Sequence, residues 1–384
     1  MLFSDRFNSF EDEIFASLDE KKLELLKQGR HIYNLSIGTP DFKVSDHIKN
    51  ALIEAAKDPD SWKYALRDLP ELTKAVVDYY KNRFGVTIDG SCVASCNGSQ
   101  EGMGSIALTL CNKGDTVLLP APCYPVFINA AKLAEADIHF YEMKKENGFL
   151  PDVASIPEDI ARKAKYMIVS LPSNPMGSVG TPKVYREIIG FAKKYDVLII
   201  HDNAYSDIIY DGQTGGSFFS YEGASEIGVE FFSLSKSFDV TGARISFLVG
   251  GRKDVVDAFR KLRSQTDFGM FIPIQKAAVA ALTGPLDGVK RQCALYESRR
   301  NILCGGLKDL GWDVNYSKGS MFVWCRIPDG YKDSMSFCLS LMEKTGVICT
   351  PGSSFGPVGE GYVRFALVLP DEELKKAVAA MKEM

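Results

Sequence analysis

The sequence predicts an α/β protein: a mostly parallel sheet covered by helices, with a smaller α+β domain built from both termini. Three observations carry this. Short, nearly continuous apolar runs alternate with amphipathic segments through the middle of the chain, as strands buried on both faces require. The outer segments lose that alternation and mix helix patterns with isolated extended runs. The length of 384 residues, 46% of them hydrophobic and 24% charged, is too great for one small core and short for three domains.

In chain order, residues 5–29 read as a helix, followed by an extended stretch from Tyr33 to Gly38. Cys96-Asn-Gly-Ser-Gln-Glu101 opens an apolar helix from Met103 to Leu110. Buried strands are expected at Asp115–Pro120, Tyr166–Leu171, Val197–His201, Glu230–Ser233 and Ile245–Val249. Amphipathic segments, Val126–Ala136 and Pro182–Tyr195, fall between the first three of these. From about residue 285 a long helix pattern leads into extended runs at Trp312–Asn315, Met321–Arg326 and Gly361–Ala366. A helix from Asp371 to Glu383 closes the chain. The expected division is a large domain at 41–282, with 1–40 and 283–384 forming the small one. No Gly/Ser-rich linker, low-complexity tract or repeat marks the boundary.

Charge and cysteine content exclude several function classes. Lys and Arg number 45 against 49 Asp and Glu, a net of −4, which argues against a nucleic-acid or anionic-membrane surface. Nine cysteines without a CxxC pair, and four histidines, make a zinc site an unsuitable reading, so no metal is expected. Scattered thiols suit a reducing compartment. The start of the chain lacks a signal-peptide pattern, and no apolar run reaches the roughly 20 residues of a membrane span. A cytoplasmic protein is expected.

Ligands of a parallel α/β sheet sit beyond the carboxyl ends of its strands. The residues that follow the apolar runs are therefore the ones to inspect. After His201 come Asp202, Asn203, Ala204 and Tyr205; after Leu171 comes Pro-Ser-Asn174-Pro-Met-Gly177. Phe232 leads into Ser233-Leu-Ser235-Lys236-Ser, then Thr241-Gly-Ala-Arg244. Each has a bland counterpart. A strand-end Asp is commonly a cap, Asn-Gly-Ser a turn, Asn-Pro a turn initiator, and a lysine among serines a solvated charge. Gathered at one end of one sheet, they form a polar constellation that turns and caps do not explain.

Ser233-x-Ser-Lys236 with Arg244 eight residues on, preceded by Asp202-x-x-Tyr205 and Asn174-Pro-x-Gly177, resembles the fold-type I aminotransferases of class I/II. These use pyridoxal 5′-phosphate (PLP). The resemblance runs from Gly38-Thr-Pro-Asp-Phe42 to Arg364. Asp-Asn-Ala-Tyr and Ser-Leu-Ser-Lys-Ser-Phe are nearest to LL-diaminopimelate and alanine-type aminotransferases of bacteria.

The resemblance implies that Lys236 holds the cofactor as a Schiff base and moves the proton between the substrate's α-carbon and the cofactor. A neutral amine is needed, and burial beside Arg244 would lower its pKa. Asp202 would pair with the pyridine nitrogen, and Tyr205 and Asn174 with the phenolic oxygen. Ser233, Ser235 and Arg244 would hold the phosphate from one side. Gly98, Ser99 and Gln100 would hold it from the other, at a helix N-terminus. Ser233 and Ser235 would share one face of an extended strand, with Lys236 opposed unless the chain turns. Tyr124 would stack on the ring, and Tyr64 would reach the phosphate across a homodimer interface. A contribution from Thr266–Phe271 of the partner is a further expectation. Arg364 would take the substrate carboxylate as a fork, with Asn174 as a second contact. Gly38 would let the substrate approach the backbone.

The pattern departs from relatives at Ala243, where a bulkier residue is common, and in Ile245-Ser-Phe-Leu. His201 is read as a strand-end histidine with a structural hydrogen bond. The leading expectation is ping-pong transfer between an α-amino acid and a 2-oxo acid, with glutamate and 2-oxoglutarate as a reasonable pair. A cystathionine β-lyase-like C–S lyase shares the first step and is the alternative. A PLP-binding regulator is a third reading, disfavoured because the stretch before Gly38 has no basic DNA-binding module.

Overall fold

The structure is a computed structural model that describes residues 2–10 and 16–384. Its strands are β1 (Tyr33–Asn34), β2 (Val93–Cys96), β3 (Thr116–Ala121), β4 (Asp137–Glu142), β5 (Ala164–Ser170) and β6 (Leu198–Asn203). They continue with β7 (Gly228–Ser233), β8 (Ser246–Gly250), β9 (Phe322–Arg326), β10 (Val347–Ile348), β11 (Thr350–Pro351) and β12 (Tyr362–Ala366). Seven form one sheet in the order β2-β8-β7-β6-β5-β3-β4. All its pairings are parallel except those of β8, which is antiparallel to both neighbours.

Alternate residues of each central strand sort to opposite faces, as the pleat demands. Val117, Ile168, Ile200, Phe231 and Leu248 join one buried cluster. Leu118, Met167, Val169 and Ile199 join another on the far face. Both faces are therefore covered, which is why these strands read as continuous apolar runs. The helix Pro182–Tyr195 has the expected bounds. Thr181 caps it by accepting from the Val184 amide at 3.3 Å, Pro182 stands in the first turn, and Asp196 ends it in the left-handed region at φ 57°.

One edge of the sheet is β2, and its four residues are buried. Arg260 donates to the Ser91 carbonyl at 2.8 Å and to that of Val93 at 2.5 Å, and Arg263 donates to that of Ser95. These arginines occupy edge acceptors that would otherwise recruit another strand.

The terminal segments meet each other. β1 pairs with β10, and β11-β12-β9 form an antiparallel sheet. The Ala366 amide donates to the Leu35 carbonyl at 2.6 Å, and one core joins Leu18, Leu25 and Leu35 to Leu303, Phe337 and Phe365.

Two expectations change, and some strands were not expected. The single helix at 5–29 is instead a short helix Asp5–Asn8 and a helix Ala16–Lys27, with 11–15 outside the described residues. The extended run at 312–315 contributes only a bridge between Val314 and Cys325. β2, β4, β10 and β11 had no matching expectation. β4 lies at the other edge with Asp137 and Glu142 exposed, so no continuous apolar run marks it.

Candidate active site

Strand register assembles the polar segments. Cys96 pairs with Ser246, Ser246 with Ser233, Phe232 with Asn203, and Asp202 with Ser170. The ends of β2, β5, β6 and β7 and the start of β8 therefore lie on one rim of the sheet. A cavity of about 550 Å³ opens there, a usual size for a small-ligand site.

The cavity is lined by Gly38, Ser99, Gln100, Tyr124, Asn174, Asp202, Tyr205, Ser233, Ser235, Lys236, Arg244 and Arg364. Two expected residues stand apart. Gly98, at φ 87°, lies directly against Arg244: a Cβ there would sit 2.2 Å from the Arg244 Nη2. The backbone conformation favours glycine, and its missing side chain lets the Arg244 guanidinium lie against the backbone. Tyr64 lies outside the cavity with 80% of its surface exposed, against Phe268 at 5.2 Å between ring centres.

Lys236 is carried by a single helical turn, Leu234–Ser237, so the strand ends at Ser233, two residues earlier than a shared Ser233/Ser235 strand face would need. Ser233 caps that turn by accepting from the Ser235 amide at 3.2 Å. The turn is pinned from behind. Gln292 Nε2 donates to the Lys236 carbonyl at 2.9 Å, and Ser237 Oγ donates to Asp207 at 2.8 Å, itself paired with Arg83 at 2.9 Å. The Lys236 ammonium donates to the Gly38 carbonyl at 2.6 Å. Burial, reinforced by Arg364 and Arg244, lowers its pKa to about 8.

Arg364 is buried. Its Nη1 donates to Asn174 Oδ1 at 2.9 Å, and its Nη2 to the Ser36 carbonyl at 2.7 Å and Thr350 Oγ1 at 3.3 Å. Phe322 and Phe355 face its guanidinium carbon at 4.1 and 4.8 Å. Among the described residues it has no carboxylate partner, and burial depresses its pKa to about 10. A buried cation without a counter-ion is costly unless a ligand supplies one. Phe322 also explains Gly38 differently from the sequence expectation, since a Cβ at Gly38 would meet that ring at 2.5 Å.

Among the described residues the buried Asp202 Oδ1 has no hydrogen-bond partner, and burial lifts its carboxyl to about 6. That oxygen is positioned for a cationic or N–H partner. One residue earlier on β6, His201 faces the other way. It meets Glu230 at 2.9 Å and Tyr185 at 3.2 Å inside a buried network, the structural role expected for it.

The chain matches the family model for aminotransferase class I and II over residues 30–381. It belongs to that family. An LL-diaminopimelate aminotransferase of Halothermothrix orenii is 40% identical over 381 residues, covering 99% of this chain and 97% of the relative. The substrate-bound BacF structure from Bacillus subtilis superposes with a TM-score of 0.94 at 32% identity, covering 100% of this chain and 97% of that one. An alanine aminotransferase from Pyrococcus furiosus gives 0.92 at 28% identity, with 100% of both chains covered.

Members of this family that transfer amino groups use PLP, and this chain is a PLP-dependent aminotransferase acting between an amino acid and a 2-oxo acid. These relatives favour amino transfer over the β-elimination alternative, and an enzyme over a non-catalytic regulator. The residues present fit the cofactor. The unpartnered Asp202 Oδ1, the Gly98–Arg244 contact at a helix N-terminus and a lysine of lowered pKa match its ring nitrogen, phosphate and aldehyde in chemistry.

Ser36, Phe322 and Gln292 escaped sequence reasoning. They act by supporting Arg364 or Lys236 from distant parts of the chain, and no local motif announces such a contact. Leu18, Asp19 and Lys22 of the helix Ala16–Lys27 also line the cavity, within a segment that read only as a helix. No helix among the described residues is long and apolar enough to cross a membrane.

Proposed function

We propose that this aminotransferase takes its amino group from LL-diaminopimelate or a closely similar donor, with 2-oxoglutarate as acceptor, and works as a cytoplasmic homodimer. The observation that carries the reading is the buried Arg364 fork, facing the cavity without a carboxylate of its own, in a chain 40% identical to an LL-diaminopimelate aminotransferase.

In this reading Arg364 and Asn174 hold the substrate α-carboxylate in parallel hydrogen bonds, and Gly38 borders that end. Bound PLP supplies an electron sink for the bonding pair of the α-carbon. Asp202 keeps the ring nitrogen protonated, while Tyr205 and Asn174 serve the phenolic oxygen. Tyr124, which lines the cavity, would supply an aromatic surface for the ring. Ser233, Ser235, Arg244 and the Gly98–Ser99–Gln100 turn hold the phosphate, joined by Tyr64 of the second subunit. Lys236 Nζ would hold the cofactor covalently at rest; once the substrate's amino group has displaced it, the freed amine would take the α-proton and deliver it to the cofactor's aldehyde-derived carbon, on the other side of the shared nitrogen. Its depressed pKa suits both tasks near neutral pH.

Support for the dimer comes from an exposed apolar strip, Trp62, Tyr64, Leu66, Phe268 and Phe271, in which Trp62 packs on Phe271 at 5.1 Å. Such a strip on a lone subunit marks an interaction surface. The division at 41–282 against 1–40 and 283–384 is likewise proposed, supported by the joint core of the two terminal segments.

A donor screen tests the substrate. With 2-oxoglutarate present, kcat/KM should be highest for LL-diaminopimelate among that compound, alanine, aspartate and phenylalanine. A preference of about tenfold or more for one of the others overturns the assignment.

A further inference from the structure

The helix Ala16–Lys27 places two charged side chains on the cavity that neither cofactor nor α-carboxylate uses. Asp19 and Lys22, three residues apart on one helix face, pair with each other at 3.2 Å and both line the cavity that contains Arg364. The helix is fixed in that attitude. Leu18 and Leu25 are buried in the terminal core, Lys21 pairs with Glu343 at 3.2 Å, and Arg30 donates to the Glu343 and Lys344 carbonyls. Lys22 is partly shielded, with 30% of its side chain exposed, whereas Asp19 keeps 64%. An ion pair this exposed contributes little to folding, so exchanging it for ligand contacts costs little.

A single acid or a single base would suit a donor with one distal charge. An adjacent acid and base suit a distal group carrying both. We propose that Asp19 and Lys22 form a distal subsite for a donor ending in a second amino-acid head group, Lys22 taking its carboxylate and Asp19 its ammonium. This rests on the reading of the substrate given above, which it deepens: Arg364 would grip one end of a bis-amino acid and this pair the other. Matching both charges rejects monocarboxylate donors, which leave the pair unserved, and donors with one distal charge, which satisfy half of it.

The test uses the PLP-loaded enzyme with heptanedioate and heptanoate, which differ only in the distal carboxylate and undergo no transfer. Calorimetry should show heptanedioate bound about tenfold more tightly by the wild type, the scale of one well-placed charge-assisted hydrogen bond. Lys22→Ala should remove that preference, Lys22→Glu should reverse it, and Lys22→Arg should retain it. For Asp19, the kcat/KM ratio of LL-diaminopimelate to 2-aminopimelate, which lacks the distal ammonium, should fall about tenfold in Asp19→Asn. A dicarboxylate preference undiminished in Lys22→Ala, or an unchanged donor ratio in Asp19→Asn, overturns the subsite. The two readings fail separately. A wild type that favours alanine but prefers heptanedioate through Lys22 refutes the substrate and keeps the subsite. LL-diaminopimelate as best donor with both variants unchanged does the opposite.

Discussion

Replacing Arg364 by Met probes the substrate end of the site with little change in volume. The guanidinium lies between Phe322 and Phe355 and is aimed by Asn174 at 2.9 Å and by the Ser36 carbonyl at 2.7 Å. Methionine keeps the packing against both rings and removes the charge and the fork. A hydrogen bond to a charged group contributes about 1.5–3 kcal/mol, and two parallel ones to a carboxylate give about 3–5 kcal/mol. That corresponds to a loss of roughly 10²–10⁴ in kcat/KM. Arg364→Lys should fall between, because one ammonium cannot serve the Ser36 carbonyl and a bidentate carboxylate together. The assay is a stopped-flow half-reaction with LL-diaminopimelate, following loss of the visible band of the lysine-bound cofactor. Cofactor content should change little, since Arg364 hydrogen-bonds Asn174, Ser36 and Thr350 and none of the residues proposed for the phosphate, the ring nitrogen or the covalent link. Arg364→Met with full cofactor and kcat/KM within about fivefold of wild type would refute the reasoning.

Other consequences can be measured independently. Because Lys236 must be neutral to attack and its pKa is lowered to about 8, covalent capture of PLP by the apoenzyme should rise about tenfold per pH unit below 8 and level off above it. A rate still climbing towards the ordinary lysine value of 10.5 would contradict the burial argument. His201→Gln should lower stability by about 1.5–3 kcal/mol, seen in the denaturation midpoint, because the Glu230 network loses a partner at 2.9 Å, while kcat/KM stays within about threefold. A large catalytic loss at unchanged stability would move His201 into the reaction. Trp62→Glu combined with Phe268→Glu should give monomers in analytical ultracentrifugation and remove most activity; an intact dimer would show that the exposed strip is not the interface.

Much of the fold was legible because central strands covered on both faces leave uninterrupted apolar runs, as in β3, β5 and β6. Edge strands leave no such mark: β2 is four residues long and completed by arginine side chains from a distant helix. The cavity residues proposed to hold the cofactor were legible because they follow strand ends in fixed order. Lys236 lines the cavity with them, yet its turn begins directly after Ser233, since the cap between Ser233 Oγ and the Ser235 amide ends the strand there. What lay hidden were contacts made across the chain. Phe322 under Arg364, Gln292 behind Lys236, and Asp19 and Lys22 at the cavity are set by tertiary packing of the terminal segments, which no local pattern encodes. Gly38 shows the same limit. Its need for a missing side chain was readable, but the neighbour that imposes it was not.

The central claim is that one lysine, Lys236, both anchors the cofactor and moves the proton. Borohydride reduction of the PLP-loaded enzyme, followed by peptide mass spectrometry, tests it most directly, with Lys236→Ala run in parallel. The cofactor mass should appear on the peptide containing Lys236, and the variant should carry no label and no turnover. Labelling at another lysine, or normal amino transfer by Lys236→Ala, would contradict it.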